Sequence, residues 1–213
     1  KSQGRDTVLT LYDRLGDGWK QSEPGRYIAL KLFPPKAVGI GDEFADGELF
    51  DTTGAVRYLA DFRSEGKYMV LDFWHSACRA CLEAIPEMNE GGEQYKDKVV
   101  IVGITLDRSP EVWKRTLAGH RVSWPGLRTA EGKVGLAAKY KVNGTPRYVM
   151  ISPEGRVVAL WGGYGPGTFR KEVEKVLQPL LTPVIMLVLF FVFYALLRLL
   201  VSMLVTVLGL VNK

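Results

Sequence analysis

Tyr68-Met69-Val70-Leu71-Asp72-Phe73-Trp74-His75-Ser76-Ala77-Cys78-Arg79-Ala80-Cys81 is the stretch that decides the fold. Its first seven residues form an apolar run, broken only by Asp72, that reads as a buried strand. The two cysteines that follow are the only ones in 213 residues. A helix can start at Cys78, and helix N-termini present unpaired N–H groups and a partial positive charge. A thiol placed there loses its proton more easily, and the thiolate is the reactive form. Strand, CxxC and helix together point to redox chemistry rather than packing. Two cysteines cannot form a disulfide framework, so the fold stands on its core.

Upstream, residues 1–36 hold helical pieces around Thr7–Tyr12 and Tyr27–Phe33, ended by Pro34-Pro35. We read residues 1–37 as an N-terminal extension, or as the end of an upstream domain. Gly47 to Leu59 carries a β-hairpin signal around Asp51-Thr52-Thr53-Gly54. Downstream, a helix is expected over 78–90 with a kink from Pro86 near Leu82. Lys98–Leu106 reads as a second buried strand. Ser109 caps a helix that Pro110 opens, running to Ala118. Residues 120–133 read as a loop and 134–140 as a short helix. Strands over 147–151 and 156–161 are joined by Ser152-Pro153-Glu154-Gly155, and a Thr-capped amphipathic helix covers Thr168–Leu177. Strands alternating with helices and ending in a hairpin give a mixed α/β sheet, over residues 38–179.

The formal net charge of +5 includes Arg198 and Lys213, and no basic run with interleaved aromatics occurs. That excludes nucleic acid as the expected partner. Lys1 opens mid-sequence, which suggests a removed leader or a piece of a longer protein. From Val184 to Val211 the one charge is Arg198. A soluble helix does not need apolar residues on every face over such a length, so residues 180–213 read as a membrane-anchoring helix, with 180–211 in the lipid bilayer. Arg198 aligns with Ser202, Thr206 and Gly209. Contact with another transmembrane helix and a snorkelling arginine are both compatible with that stripe.

Residues 38–177 resemble a TlpA/ResA-type thiol–disulfide oxidoreductase of the thioredoxin-like, AhpC/TSA-related superfamily. The resemblance is carried by Gly41-Asp42 with the following hairpin, Tyr68 to Cys81, Gly144-Thr145-Pro146 before a strand, and Trp161-Gly162-Gly163, in that order. It implies a thioredoxin-like three-layer sandwich with a mixed central sheet, here flanked by the N-terminal extension and the C-terminal transmembrane helix. It also implies that Asp72 is a buried carboxylate exchanging protons with the resolving cysteine. Thr145-Pro146 would be a cis peptide beside the disulfide, where the Thr145 backbone pairs with substrate.

From the residues themselves, Cys78 at the helix start is the expected attacking thiolate, and Cys81, one turn further in, resolves the mixed disulfide. Burial would raise the Asp72 pKa and suit it to acid–base work; an Asp at a strand edge facing water is the alternative. Trp74 is read as an apolar substrate contact or as a plain core residue. Ala77 stands where the family commonly has Trp, so the site should be more open there. Arg79 should favour the Cys78 thiolate and raise the reduction potential, and His75 is either solvent-exposed or a second cation tuning Cys78.

The expected activity is therefore dithiol–disulfide exchange with protein substrates in the periplasm or another extracytoplasmic space. It would be membrane-tethered, paired with a membrane or soluble redox partner, and without cofactor beyond the Cys78–Cys81 disulfide. No metal is expected, because tetrahedral zinc wants four ligands and only His75 and His120 are available. Copper handling by Cys78, Cys81 and a histidine is one alternative. A peroxiredoxin-like peroxidase is another, although His75 stands where a Thr would be wanted.

Overall fold

A computed structural model describes residues 2–178 and 181–207; the side chains of residues 2, 3, 5, 181–186 and 204–207 are outside that description. The chain divides into two units, residues 1–173 and 174–213.

The first unit opens with helices α1 (Ser2–Asp13), α2 (Asp17–Gln21) and α3 (Glu23–Leu32). Ser22 caps α3 by accepting from the Gly25 N–H, with Pro24 in the first turn where its missing N–H costs nothing. The expected hairpin forms from β1 (Leu49–Phe50) and β2 (Val56–Arg57), and Asp51 ties its turn by accepting from the Thr53 and Ala55 N–H groups. A 3-10 turn over Leu59–Phe62 leads to β3 (Tyr68–Trp74).

The next elements are α4 (Arg79–Gln94), β4 (Val99–Thr105), α5 (Pro110–Gly119), β5 (Gly126–Arg128), α6 (Leu136–Lys139), β6 (Arg147–Ile151), β7 (Val157–Gly162) and α7 (Thr168–Leu177). The sheet has seven strands in the order β2-β1-β5-β4-β3-β6-β7. β3, β4 and β5 are parallel neighbours; β1 pairs antiparallel with β5, β6 with β3 and β7 with β6. The sheet is mixed, as expected for a thioredoxin-like α/β fold.

β3 lies between β4 and β6, which explains its unbroken apolar run. Its side chains alternate between faces. Met69, Leu71 and Phe73 join a core with Leu136 and Ala137 of α6 and with Tyr140, which follows it. Trp74 faces the other way, with the cysteines and Trp113 of α5. On that second face Tyr148 stacks on Trp161 at 5.1 Å, and Phe169 of α7 meets Tyr148 edge-on. Helices thus cover both faces, and the ends of β3 and β4 bring the redox segment to one edge of the sandwich.

Three expectations are corrected. The segment 120–133 is not all loop: β5 lies within it, bonded to strands on both sides. It is too short to show alternation, and Gly126 packs closely on Leu117, whose side chain a Cβ there would have to displace. The helix expected over 78–90 runs on to Gln94 through the exposed Pro86. The start of α7 is capped from outside: the Gly167 and Arg170 N–H groups both donate to Glu87 of α4, at 2.9 Å.

In the second unit, α8 runs from Leu181 to Val207. Its described side chains, residues 187–203, are all exposed and almost wholly apolar. Among the described residues no helix is long and apolar enough to cross a membrane. The expected span over 180–211 extends beyond them: residue 180 and residues 208–211, including Gly209 and Val211, lie outside the described residues, as does the Thr206 side chain. Arg198 sits over the Tyr194 ring at 5.8 Å.

Candidate active site

Cys78 is the N-cap of α4 and is disulfide-bonded to Cys81. The Cys81 N–H, in the first helical turn, is shared between the Cys78 carbonyl at 3.1 Å and the Cys78 sulfur at 3.2 Å. After reduction the same donor and the helix dipole favour a thiolate on Cys78. Cys78 is 9% exposed and Cys81 3%, so the outer sulfur is the one a partner reaches first.

The turn leading to Cys78 is pinned from below. Cys78 N–H bonds the His75 carbonyl at 2.9 Å, and Leu106 N–H bonds the Trp74 carbonyl at 2.8 Å. Asp107, just past the end of β4, accepts from the Ser76 N–H at 3.0 Å and from the Ser76 hydroxyl at 2.6 Å. The Thr105 hydroxyl donates to the same carboxylate at 2.7 Å.

Asp72 is buried at 5% exposure, paired in register with Gly103 on one side and Tyr148 on the other. Its Oδ1 has no hydrogen-bond partner among the described residues. Loss of hydration disfavours the ionised form, and burial pushes its pKa up to about 8. The alternative of an Asp facing water is therefore set aside. Burial first, and then the Asp72 charge, push the neighbouring Tyr148 phenol upward as well.

Trp74 is buried in one cluster with both cysteines and Trp113. At 3% exposure it supports the disulfide from inside and has little surface to offer a substrate, which corrects its reading as an apolar substrate contact. Gly103 makes room for this packing: a Cβ there would lie 2.9 Å from Trp124 Nε1 and 3.4 Å from Trp74 Nε1. Thr145–Pro146 is a cis peptide, just before β6. The register of β6 on β3 sets it beside the Trp74 end of β3, and the Pro146 carbonyl accepts from Gly163 N–H at 2.9 Å. Thr145 is half-buried and Pro146 buried.

Residues 66–157 match the model of a thioredoxin-like family. Over the matched residues the chain is similar to TlpA/ResA-type thiol–disulfide oxidoreductases. The thiol–disulfide oxidoreductase ResA of Bacillus subtilis is 26% identical over 129 residues, 60% of this chain and 70% of ResA. The thiol–disulfide oxidoreductase YkuV of the same organism is 27% identical over 117 residues, covering 52% of this chain and 78% of YkuV. A crystal structure from Chlorobium tepidum, described as a thiol:disulfide interchange protein DsbE, aligns with a TM-score of 0.60 and 26% identity over 67% of this chain and 98% of that one. The chain spans only 12% of a longer relative, the chloroplastic protein SUPPRESSOR OF QUENCHING 1 of Arabidopsis thaliana, at 24% identity over 131 residues.

The tuning residues look different in place. The Arg79 guanidinium is 91% exposed and donates to Glu83 one turn on, at 2.7 Å, so its charge is shared and hydrated. His75 is half-buried and Ala77 exposed, leaving the side before Cys78 open. Among the described residues no group of three or more His, Cys, Asp or Glu side chains could hold a metal ion. Ser76, Asp107, Trp113 and Trp124 were not singled out as site residues from the sequence. For Asp107 the only signal was its place just after a strand, and for Trp113 its spacing from Pro110.

Proposed function

We propose that this chain is a TlpA/ResA-type thiol–disulfide oxidoreductase that exchanges its Cys78–Cys81 pair with protein substrates outside the cytoplasm, tethered to a bilayer through residues 180–211. The observation that carries the chemistry is the Cys78 sulfur at the N-cap of α4, with Cys81 N–H donating to it. In the dithiol state the Cys78 thiolate attacks one sulfur of a substrate disulfide. A mixed disulfide forms and the other substrate sulfur leaves as a thiolate. Cys81 then gives its proton to the Asp72 carboxylate and attacks the Cys78 sulfur. The Cys78–Cys81 disulfide closes, the second substrate thiolate departs, and two electrons have passed to the substrate. Every step runs in reverse when the substrate dithiol is the stronger reductant. The Thr145 backbone, set by the register of β6 beside the Trp74 end of β3, pairs with the substrate chain during the attack.

Exchange assays on the full chain test this reading. Cys78→Ala should abolish reduction of a protein disulfide, and Cys81→Ala should accumulate mixed disulfides. Full activity in both variants would refute it. The reduction potential of the pair fixes the direction of electron flow: a value near that of thioredoxin marks a reductant, one near DsbA an oxidant. The tether is supported by a continuous α8 whose described side chains are exposed and, apart from Arg198 and Ser202, apolar. Chain that stays in membranes through alkaline carbonate washing, with its domain cleaved by protease added outside intact spheroplasts, is the expected result. Release by carbonate would overturn the tether, and full protection from protease would overturn the location.

A further inference from the structure

A cavity of about 720 Å³ opens between α3 and the loops that follow β4 and β5. Its wall includes Asp107, the residue that holds Ser76 two positions before Cys78. The site therefore lies on the β4–β5 side of the redox centre, away from the Thr145–Pro146 loop beside β6.

Its charges do not cancel locally. Arg26, Arg108, Arg128 and Lys133 line it against Glu23, Asp107 and Glu131. Glu23 is engaged by Arg108, and Asp107 is occupied by Ser76 and Thr105. The Glu131 carboxylate folds back toward Gly135 in its own loop. Among the described residues Arg26, Arg128 and Lys133 have no carboxylate partner within ion-pair distance. Arg128 is steadied over the Phe50 ring at 5.7 Å. Cations left unpaired around one concave space raise the local concentration of anions.

We propose that this cavity docks an acidic segment of the protein substrate while the substrate's disulfide meets Cys78. The proposal rests on the exchange activity above and adds a substrate preference to it. An extended acidic segment suits the space because its carboxylates reach Arg26, Arg128 and Lys133, with Tyr27 and Pro24 as apolar wall.

The test compares two disulfide peptides, one with an Asp-rich and one with a Lys-rich flank, on the full chain in detergent at low salt. Wild type should turn over the acidic peptide with kcat/KM about tenfold higher, mostly through KM, and salt should erase the difference. In Arg26→Glu/Lys133→Glu the preference should vanish or reverse, while turnover of 2-hydroxyethyl disulfide stays at the wild-type rate. An equal rate for both peptides in wild type, or an unchanged preference in the double variant, overturns the proposal. So does inhibition by millimolar inorganic phosphate without any peptide preference, which would mark a small-anion site. Failure to turn over 2-hydroxyethyl disulfide in wild type would instead sink the exchange reading.

Discussion

Asp107 holds Ser76 by both its backbone N–H and its hydroxyl, so a carboxylate at the end of β4 sets the turn that presents Cys78 from β3. Asp107→Asn should slow attack on a small disulfide several-fold and lower stability by about 1–3 kcal/mol, the usual cost of unsatisfied groups. Because Asp107 acts through Ser76, its effect on rate should shrink in a Ser76→Ala background. Stopped-flow rates across the double-mutant cycle measure this; strictly additive effects would contradict it.

Asp72 should leave a pH signature in stability. Its pKa stands at about 8 in the fold against 3.8 in the unfolded chain. Between those values the native state binds the extra proton, so stability falls as pH rises from about 4 to about 8, by up to ~1.4 kcal/mol per pH unit. Asp72→Asn should flatten that slope in urea titrations and be the more stable protein at pH 8.

The same group should appear in the kinetics. In the mechanism proposed above Cys81 gives its proton to an ionised Asp72, so resolution of the mixed disulfide should speed up as pH rises through about 8. In Asp72→Asn that inflection should disappear from single-turnover pH profiles, leaving only the rise due to the Cys81 thiol.

Gly103→Ala should be costly for its size. The added methyl would meet Trp124 Nε1 at 2.9 Å, and Trp124 would have to shift. Overpacking of this kind costs about 1–3 kcal/mol. A changed tryptophan emission spectrum alongside a lower urea midpoint would verify it.

Glu87→Ala should loosen α7 by removing its only side-chain cap among the described residues. A loss of about 1–2 kcal/mol is expected, with faster amide exchange confined to the first turn of α7.

Much of this was legible because it is local. An apolar run at the centre of a sheet, a CxxC at a helix start and Ser-Pro at the head of α5 each carry their signal within a few residues, and β3, α5 and α7 fall within a residue or so of expectation. What stayed hidden depends on distant partners. β5 is a strand only because β4 and β1 flank it. Glu87 reaches across 80 residues to cap α7, and Asp107 lies 31 residues from Ser76. The Arg79 guanidinium, read as a tuning cation, also bonds Glu83 one turn along. Trp74 could be read as surface or core because a strand's last residue serves either, and its cluster with Trp113 decides it.

The unequal exposure of the two cysteines has a structural consequence for any covalent complex. Since Cys78 is the reachable partner and Cys81 sits beneath it, every substrate would be joined to the chain through one and the same atom. Different substrates would then be held in a common frame, with their flanking residues laid over the same neighbouring surface. A set of trapped complexes could be superimposed on that single bond, and whatever the substrates share around it would read out directly as their common recognition pattern.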